Sequence, residues 1–172
     1  REGMYSLAGS LDPDGMRAAW ALVEDFSAAT VARARALPSE KLDESVDDEW
    51  SFLETQRHLV FATDRWITGP VLGEKDSFHP LGMPNPPLDE VPAGVFDLDA
   101  KPTLDEVLAM RRGRMDRVAK LVKSINADDL SRQVASPNGG MVAIMYCLHI
   151  VFREEWWHNQ YANRDLAILE GG

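Results

Sequence analysis

Glu154 and His158 stand four residues apart in the run Leu148-His149-Ile150-Val151-Phe152-Arg153-Glu154-Glu155-Trp156-Trp157-His158-Asn159-Gln160-Tyr161. In an α-helix that spacing separates two side chains by about 40° around the axis and roughly 6 Å along it. Carboxylate and imidazole therefore project from one face as neighbours and can grip one cation together. The stripe that contains them, Cys147, Val151, Glu154, His158, Tyr161 and Asp165, reads as an inward seam, where polar groups without partners would be costly. A divalent metal ion is the partner that this donor set suits: Zn²⁺ first, and Ni²⁺, Fe²⁺ or Mn²⁺ with less selectivity.

Two ligands do not make a tight site, and His58 is the best third. A neighbouring helix in a bundle can bring one histidine opposite a Glu/His pair, and Ser51, Thr55 and Ala62 on the same side of its helix leave room for an ion. The heavier apolar stripe of that helix, with Phe52, Leu53, Leu59, Val60, Trp66 and Ile67, is centred away from His58, which places the histidine in a cleft at the edge of the core.

Plainer readings stand beside this one. An isolated Glu-x-x-x-His pair is more often a surface contact than a metal site. His149 lies about 140° from Glu154 and about 180° from His158 on an ideal helix, so it belongs to packing or a hydrogen bond. His79, in a proline-rich stretch, reads as solvated. Cys147, about 10 Å along the helix from Glu154, reads as a small buried hydrophobe, and the five tryptophans read as core and rim. Glu54 and His58 form a second pair of the same spacing that could complete a dinuclear site, but di-iron carboxylate proteins place the histidine three residues after the glutamate, so this ranks lower.

Four helical stretches must position these residues. The first starts with Asp12 as N-cap and Pro13 at the first helical position, and runs through Met16, Ala19, Trp20, Val23 and Phe26 to Leu37-Pro38. The second begins near Asp47, where acidic residues suit the helix dipole, and runs past His58 and Trp66 toward Gly69-Pro70. Residues 72–102 are too rich in proline and glycine for a long helix or a central strand. This stretch is expected to be an ordered crossover folded back over the bundle, hiding part of Phe78, Leu81, Met83, Leu88, Val91, Val95 and Phe96. Thr103 caps the third helix in a capping box with Glu106, and its arginines and lysines are expected mostly on the solvent side. After a polar link ending in Pro137-Asn138-Gly139-Gly140, the last helix is expected from 141 to about 169 and to be the most buried. No alternating strand pattern appears, so the fold class is all-α, a four-helix bundle.

The chain has 172 residues and is expected to form a single domain, with residues 1–10 a poorly ordered N-terminal tail. A net charge of −10 argues against nucleic acid and anionic membranes as partners. One cysteine and no apolar targeting or spanning run point to a reducing cytoplasm.

The run Asp48-Glu49-Trp50-Ser51 with His58-Leu59, where Trp50 precedes the histidine by eight residues, and the run Glu154-Glu155-Trp156-Trp157-His158 through Arg164-Asp165-Leu166 together resemble the DinB-like superfamily. Within it they are most similar to the branch related to mycothiol-dependent maleylpyruvate isomerase. The resemblance implies a four-helix bundle holding one metal ion through three side chains, His, Glu and His in that branch. Position by position these fall on His58, Glu154 and His158. Glu154 stands where the commoner pattern has a third histidine, and no separate C-terminal domain of the isomerase kind is visible.

Two functions follow as expectations. In the first, the metal centre serves an enzyme: three protein ligands leave an open position. By resemblance, a low-molecular-weight thiol such as mycothiol or bacillithiol would be the cofactor, in a thiol transfer to an electrophilic substrate or a thiol-assisted isomerisation. Arg57, Arg65 and Arg153 are candidate anchors for an anionic cofactor or substrate, and assembly as a homodimer is left open. In the second, the metal stabilises a binding or stress-response module without catalysis.

Overall fold

Local capping chemistry fixes where four of the five α-helices begin. In the computed structural model, which describes residues 12–86, 88 and 91–172, the Asp12 side chain accepts a hydrogen bond from the Asp14 backbone and Pro13 opens helix α1 (Pro13–Arg35). The expected tail, residues 1–10, lies outside the described residues. A 3₁₀ turn at Ser39–Asp43 buries Leu42 and leads to helix α2 (Phe52–Thr63). This helix starts later than expected. Asp47 and Asp48 adopt positive φ (54° and 58°) in a turn rather than sitting on the helix. Ser51 and Glu54 instead form a reciprocal capping box that satisfies two otherwise free backbone donors. α2 then widens into one π-helical turn, Asp64–Thr68.

Helix α3 (Leu104–Ser124) starts at the Thr103/Glu106 capping box, as expected. A short helix α4 (Ala127–Ser131) follows, then strands β1 (Gln133–Ala135) and β2 (Met141–Ala143), paired antiparallel with Val134 opposite Val142. The last helix, α5 (Ile144–Glu170), therefore begins three residues later than expected. Gly139 and Gly140, at φ 93° and 74°, turn the chain into a hairpin. Three-residue strands are too short to leave an alternation in the sequence. The hairpin also replaces a side-chain cap, since the Ile144 N–H donates to the Arg132 carbonyl. The all-helical class is as expected, but the described residues form five α-helices and a small sheet rather than a plain set of four helices.

α1 and α2 each pack against both α3 and α5. Two apolar clusters fill the space between them. One gathers Met16, Trp20, Val23, Ile67, Val118, Ile144, Leu148 and Phe152; the other gathers Ala34, Leu42, Phe52, Leu53, Val107 and Leu166. On every long helix a buried polar residue separates the two: Thr30 on α1, Gln56 on α2, Arg111 on α3, and Glu155 and Asn159 on α5. The cations of α3 mostly face solvent, as expected, with Arg112, Lys120 and Lys123 exposed, but Arg111 is buried. It donates two parallel hydrogen bonds to Glu155 at 2.6 and 2.8 Å. Arg114 likewise turns inward to pair with the fully buried Asp64. Among the described residues no helix is long and apolar enough to cross a membrane.

The long connection folds back over α2, as expected. Phe78 and Phe96 pack on Phe61, and Met83 is buried, while Leu88 stays exposed. Gly82 permits the approach: a Cβ there would stand 3.1 Å from the His79 carbonyl oxygen and 3.5 Å from the Phe61 Cβ. Within α2, only Glu54 is not buried.

Candidate metal centre

His58 lines a cavity beside the core, in keeping with its distance from the apolar stripe, but it is only 1% exposed, since the Met83 carbonyl of the crossover and Trp50 close on its ring. The ring is held on both sides. Its Nδ1 lies 2.9 Å from the Met83 carbonyl oxygen, and its Nε2 lies 3.1 Å from Glu154 Oε2. A turn further along α5, His158 Nε2 lies 3.0 Å from the same oxygen. The two imidazole centroids are 4.7 Å apart, and the three ligand atoms lie within 4.8 Å of one another. The structure thus brings together His58, Glu154 and His158 as a group that could hold a metal ion.

The donor chemistry fits a cation. A backbone carbonyl and a carboxylate only accept hydrogen bonds, so Nδ1–H of His58 donates to Met83. That leaves Nε2 to face a carboxylate oxygen, where its lone pair is repelled unless a proton or a metal ion lies between. Ligands of a tetrahedral ion bonded at 2.0–2.2 Å stand about 3.3–3.6 Å apart. Opening each nitrogen–oxygen distance by a few tenths of an ångström would therefore admit one. The bond from Nδ1 to a carbonyl is also the support that metal-ligating histidines ordinarily have.

Burial alone would push the Glu154 carboxyl up, but the hydrogen bonds from His158 and His58, with their charge, hold it far below the usual carboxylate range. The site is reached from the α5 side: the side chains of Glu154 and His158 are 25% and 19% exposed, against 2% for His58. Trp50 packs on the His58 ring at 4.5 Å and faces His158 at 6.1 Å between centroids.

Two cavities flank the group. One, of about 280 Å³, is lined by His58 and Glu154 together with Arg65, Arg153, Asn85 and Asn138. The other, of about 600 Å³, is lined by His158 with Trp50, Thr55 and Tyr161, and by Arg164, which is paired to Glu49 and Asp165. Of the three arginines singled out in the sequence, Arg65 and Arg153 thus reach a cavity wall beside the triad. Arg57 is buried and donates to the carbonyls of Leu81, Asp97 and Ala100, bracing the crossover against α2.

Glu54, the fourth member of a dinuclear alternative, is engaged at its own helix N-terminus. Among the described residues, the triad is the only cluster of three or more His, Cys, Asp or Glu side chains that could hold a metal ion. Cys147 is buried and free, its thiol pushed up to about 11 by burial, in keeping with a small core residue. His149 packs without a partner for its buried Nε2, and burial lowers its pKa. His79 is not solvated. It is half-buried, its ring Nδ1 accepts from the Leu81 N–H, and its backbone N–H donates to Asp64.

Nothing in the residue order marks the Met83 carbonyl, since a backbone acceptor carries no residue signature. Glu155 could have been found: a second carboxylate beside Glu154, about 100° further round the same helix, must point somewhere else and needs its own cation.

A family model for the DinB superfamily matches residues 22–162, a span that holds all three triad residues and most of the four long helices. Searches of curated proteins and of solved structures gave no match. With the family model covering well over half of the sequence and the fold mostly helical, the chain belongs to the DinB superfamily.

Proposed function

We propose that the protein is a metal-dependent enzyme of thiol chemistry, and that His58, Glu154 and His158 hold its single divalent ion. The observation that supports this is the convergence of two Nε2 atoms on one carboxylate oxygen at 3.0 and 3.1 Å, bordered on two sides by cavities. A bound Zn²⁺ ion would keep a coordination position open and make a thiol or water there more acidic. The chain's own residues do the rest. Met83 and Trp50 fix the His58 ring, and burial keeps water from that side.

Arg65 and Arg153 give the smaller cavity two cations suited to an anionic group on one reactant. The larger cavity has room for the second reactant on the His158 side. By likeness to the isomerase branch, the thiol is of the mycothiol or bacillithiol type and the reaction a transfer or an isomerisation. A free, buried cysteine is consistent with a reducing cytoplasm.

A second reading has the ion brace the fold of a non-catalytic binding module. The Met83 bond favours it, since an ion at the triad would tie α2, α5 and the crossover together.

Metal analysis of the purified chain, followed by assays with each thiol and electrophilic acceptors before and after chelation, tests both readings. The enzyme reading expects one ion per chain and thiol turnover that chelation abolishes while helicity persists. Unfolding on chelation without any turnover supports the brace, and a chain that binds no divalent ion removes both.

A further inference from the structure

We infer that Arg111 is a positioning residue that sets the register of the two ligand-bearing helices, an inference that rests on the metal reading above. Arg111 lies on α3, which contributes no ligand. Its Nη1 and Nη2 donate in parallel to the two oxygens of Glu155, next in sequence to Glu154 and three residues before His158. Its Nε donates at 3.2 Å to Gln56 Oε1, two residues before His58. One rigid guanidinium therefore grips α5 beside its ligands and α2 beside its own.

The planar fork gives this grip its precision. Two parallel bonds fix the roll of α5 as well as its distance, which a single-point contact cannot do. Apolar contacts hold helices together but tolerate small slips: cores lose uniqueness of packing before they lose stability. The triad has little tolerance for such slips, because three atoms must meet at metal-bond lengths.

Stability alone does not account for the pair. Arg111 and Glu155 are 3% and 1% exposed, and at that depth an ion pair is seldom more stable than apolar residues of similar volume. The neighbouring layer is polar to no obvious stabilising end, since Gln56 Nε2 and Asn159 Oδ1 are buried without partners. What the layer adds is a defined arrangement of the helices.

The test separates register from stability. Wild type and the double variant R111M/E155L are compared by circular dichroism, thermal melting and titration with Co²⁺, whose visible absorption reports ligand geometry. The double variant is expected to stay helical and to melt no lower than wild type. Its Co²⁺ affinity should fall by at least the roughly tenfold typical of changes behind a metal ligand, with displaced absorption bands. Wild-type affinity and bands in the double variant would overturn the inference.

If the double variant fails to fold, Gln56→Met decides. It removes an unpartnered donor and cuts only the α2 branch, so the fold should hold while the Co²⁺ bands shift; unshifted bands and wild-type affinity overturn the inference. A wild-type chain with no Co²⁺ site overturns the metal reading and this inference with it, an outcome distinguished by appearing without any substitution.

Discussion

Glu154 and Glu155 are consecutive residues on one helix, and their surroundings treat the same chemical group in opposite ways. Glu155 is sealed in the core against a guanidinium that is always charged, with both oxygens filled at 2.6 and 2.8 Å. Glu154 is a quarter exposed, and its partners are two imidazoles that meet at one of its oxygens. The first arrangement is complete as it stands. In the second, the positive charge can be supplied by protons or by a metal ion, and the two compete for the same nitrogens. A carboxylate matched to a fixed charge serves architecture, and one matched to an exchangeable charge is suited to chemistry.

The strongest way to break that contrast is to remove one member of the sealed pair. Arg111→Met alone should cost about 3–5 kcal/mol, because Glu155 is left buried without its partner. Urea denaturation measures this, and a loss below about 1 kcal/mol would mean that Glu155 is no more committed than Glu154.

The open group should answer differently. His158→Ala is expected to leave a helical chain but to weaken divalent-ion binding by more than about a hundredfold, beyond what changes behind a ligand produce. Circular dichroism and metal content on one sample decide it, and stoichiometric metal in the variant would show that His158 is not a ligand.

Arg57 sharpens the comparison from a third side. It is a buried cation that serves only backbone carbonyls. Arg57→Leu should cost roughly 1–3 kcal/mol for unpaired acceptors and should speed proteolysis of the crossover between residues 81 and 100. Unchanged digestion would show that aromatic packing on Phe61 suffices to hold it.

A smaller effect comes from the two histidines outside the triad. His149, by burial, and His79, by burial and then the Arg114 guanidinium against the opposing pull of Asp64, both have lowered pKa values. Below about pH 6.5, the ordinary histidine value, the unfolded chain then binds more protons than the folded one. Their contribution is complete above that pH and is lost as pH falls toward their folded values. The depressed carboxyl of Glu154 has the same sign but loses its contribution only in stronger acid. Urea midpoints of the chelated protein should therefore decline between pH 7 and 5, and His149→Phe should flatten that slope. An unaltered slope would assign the decline to other groups.

Smallest of all, Cys147 should resist aromatic disulfide reagents at pH 8 in the native state. With its thiol pushed up to about 11, about one molecule in a thousand carries the thiolate. Prompt labelling would place it nearer solvent than the core.

Much of this arrangement could be read from residue order, for reasons that differ by element. Asp12-Pro13 and Thr103 with Glu106 marked two helix starts because capping is local chemistry. The i,i+4 spacing of Glu154 and His158 revealed a shared face for the same reason. The start of α2 was misplaced because Asp47 and Asp48 suit both a helix N-terminus and a left-handed turn, and only the Ser51/Glu54 box separates the two. The hairpin before α5 is too short to show a period. Neither the burial of His58 nor the pairing of Arg111 with Glu155 could be read, since both depend on contacts between residues 25 or more positions apart.

The bond from His58 to Met83 has a consequence for how this protein can vary. The acceptor is a main-chain oxygen, so replacing the Met83 side chain leaves the orienting bond in place. Inserting or deleting one residue beside it, between Gly82 and Pro84, would put a different peptide group opposite the imidazole. The crossover is therefore permissive in composition but strict in length at that point. Homologous loops of other sequence could be grafted onto this scaffold only if they keep the count of residues that delivers a carbonyl to His58.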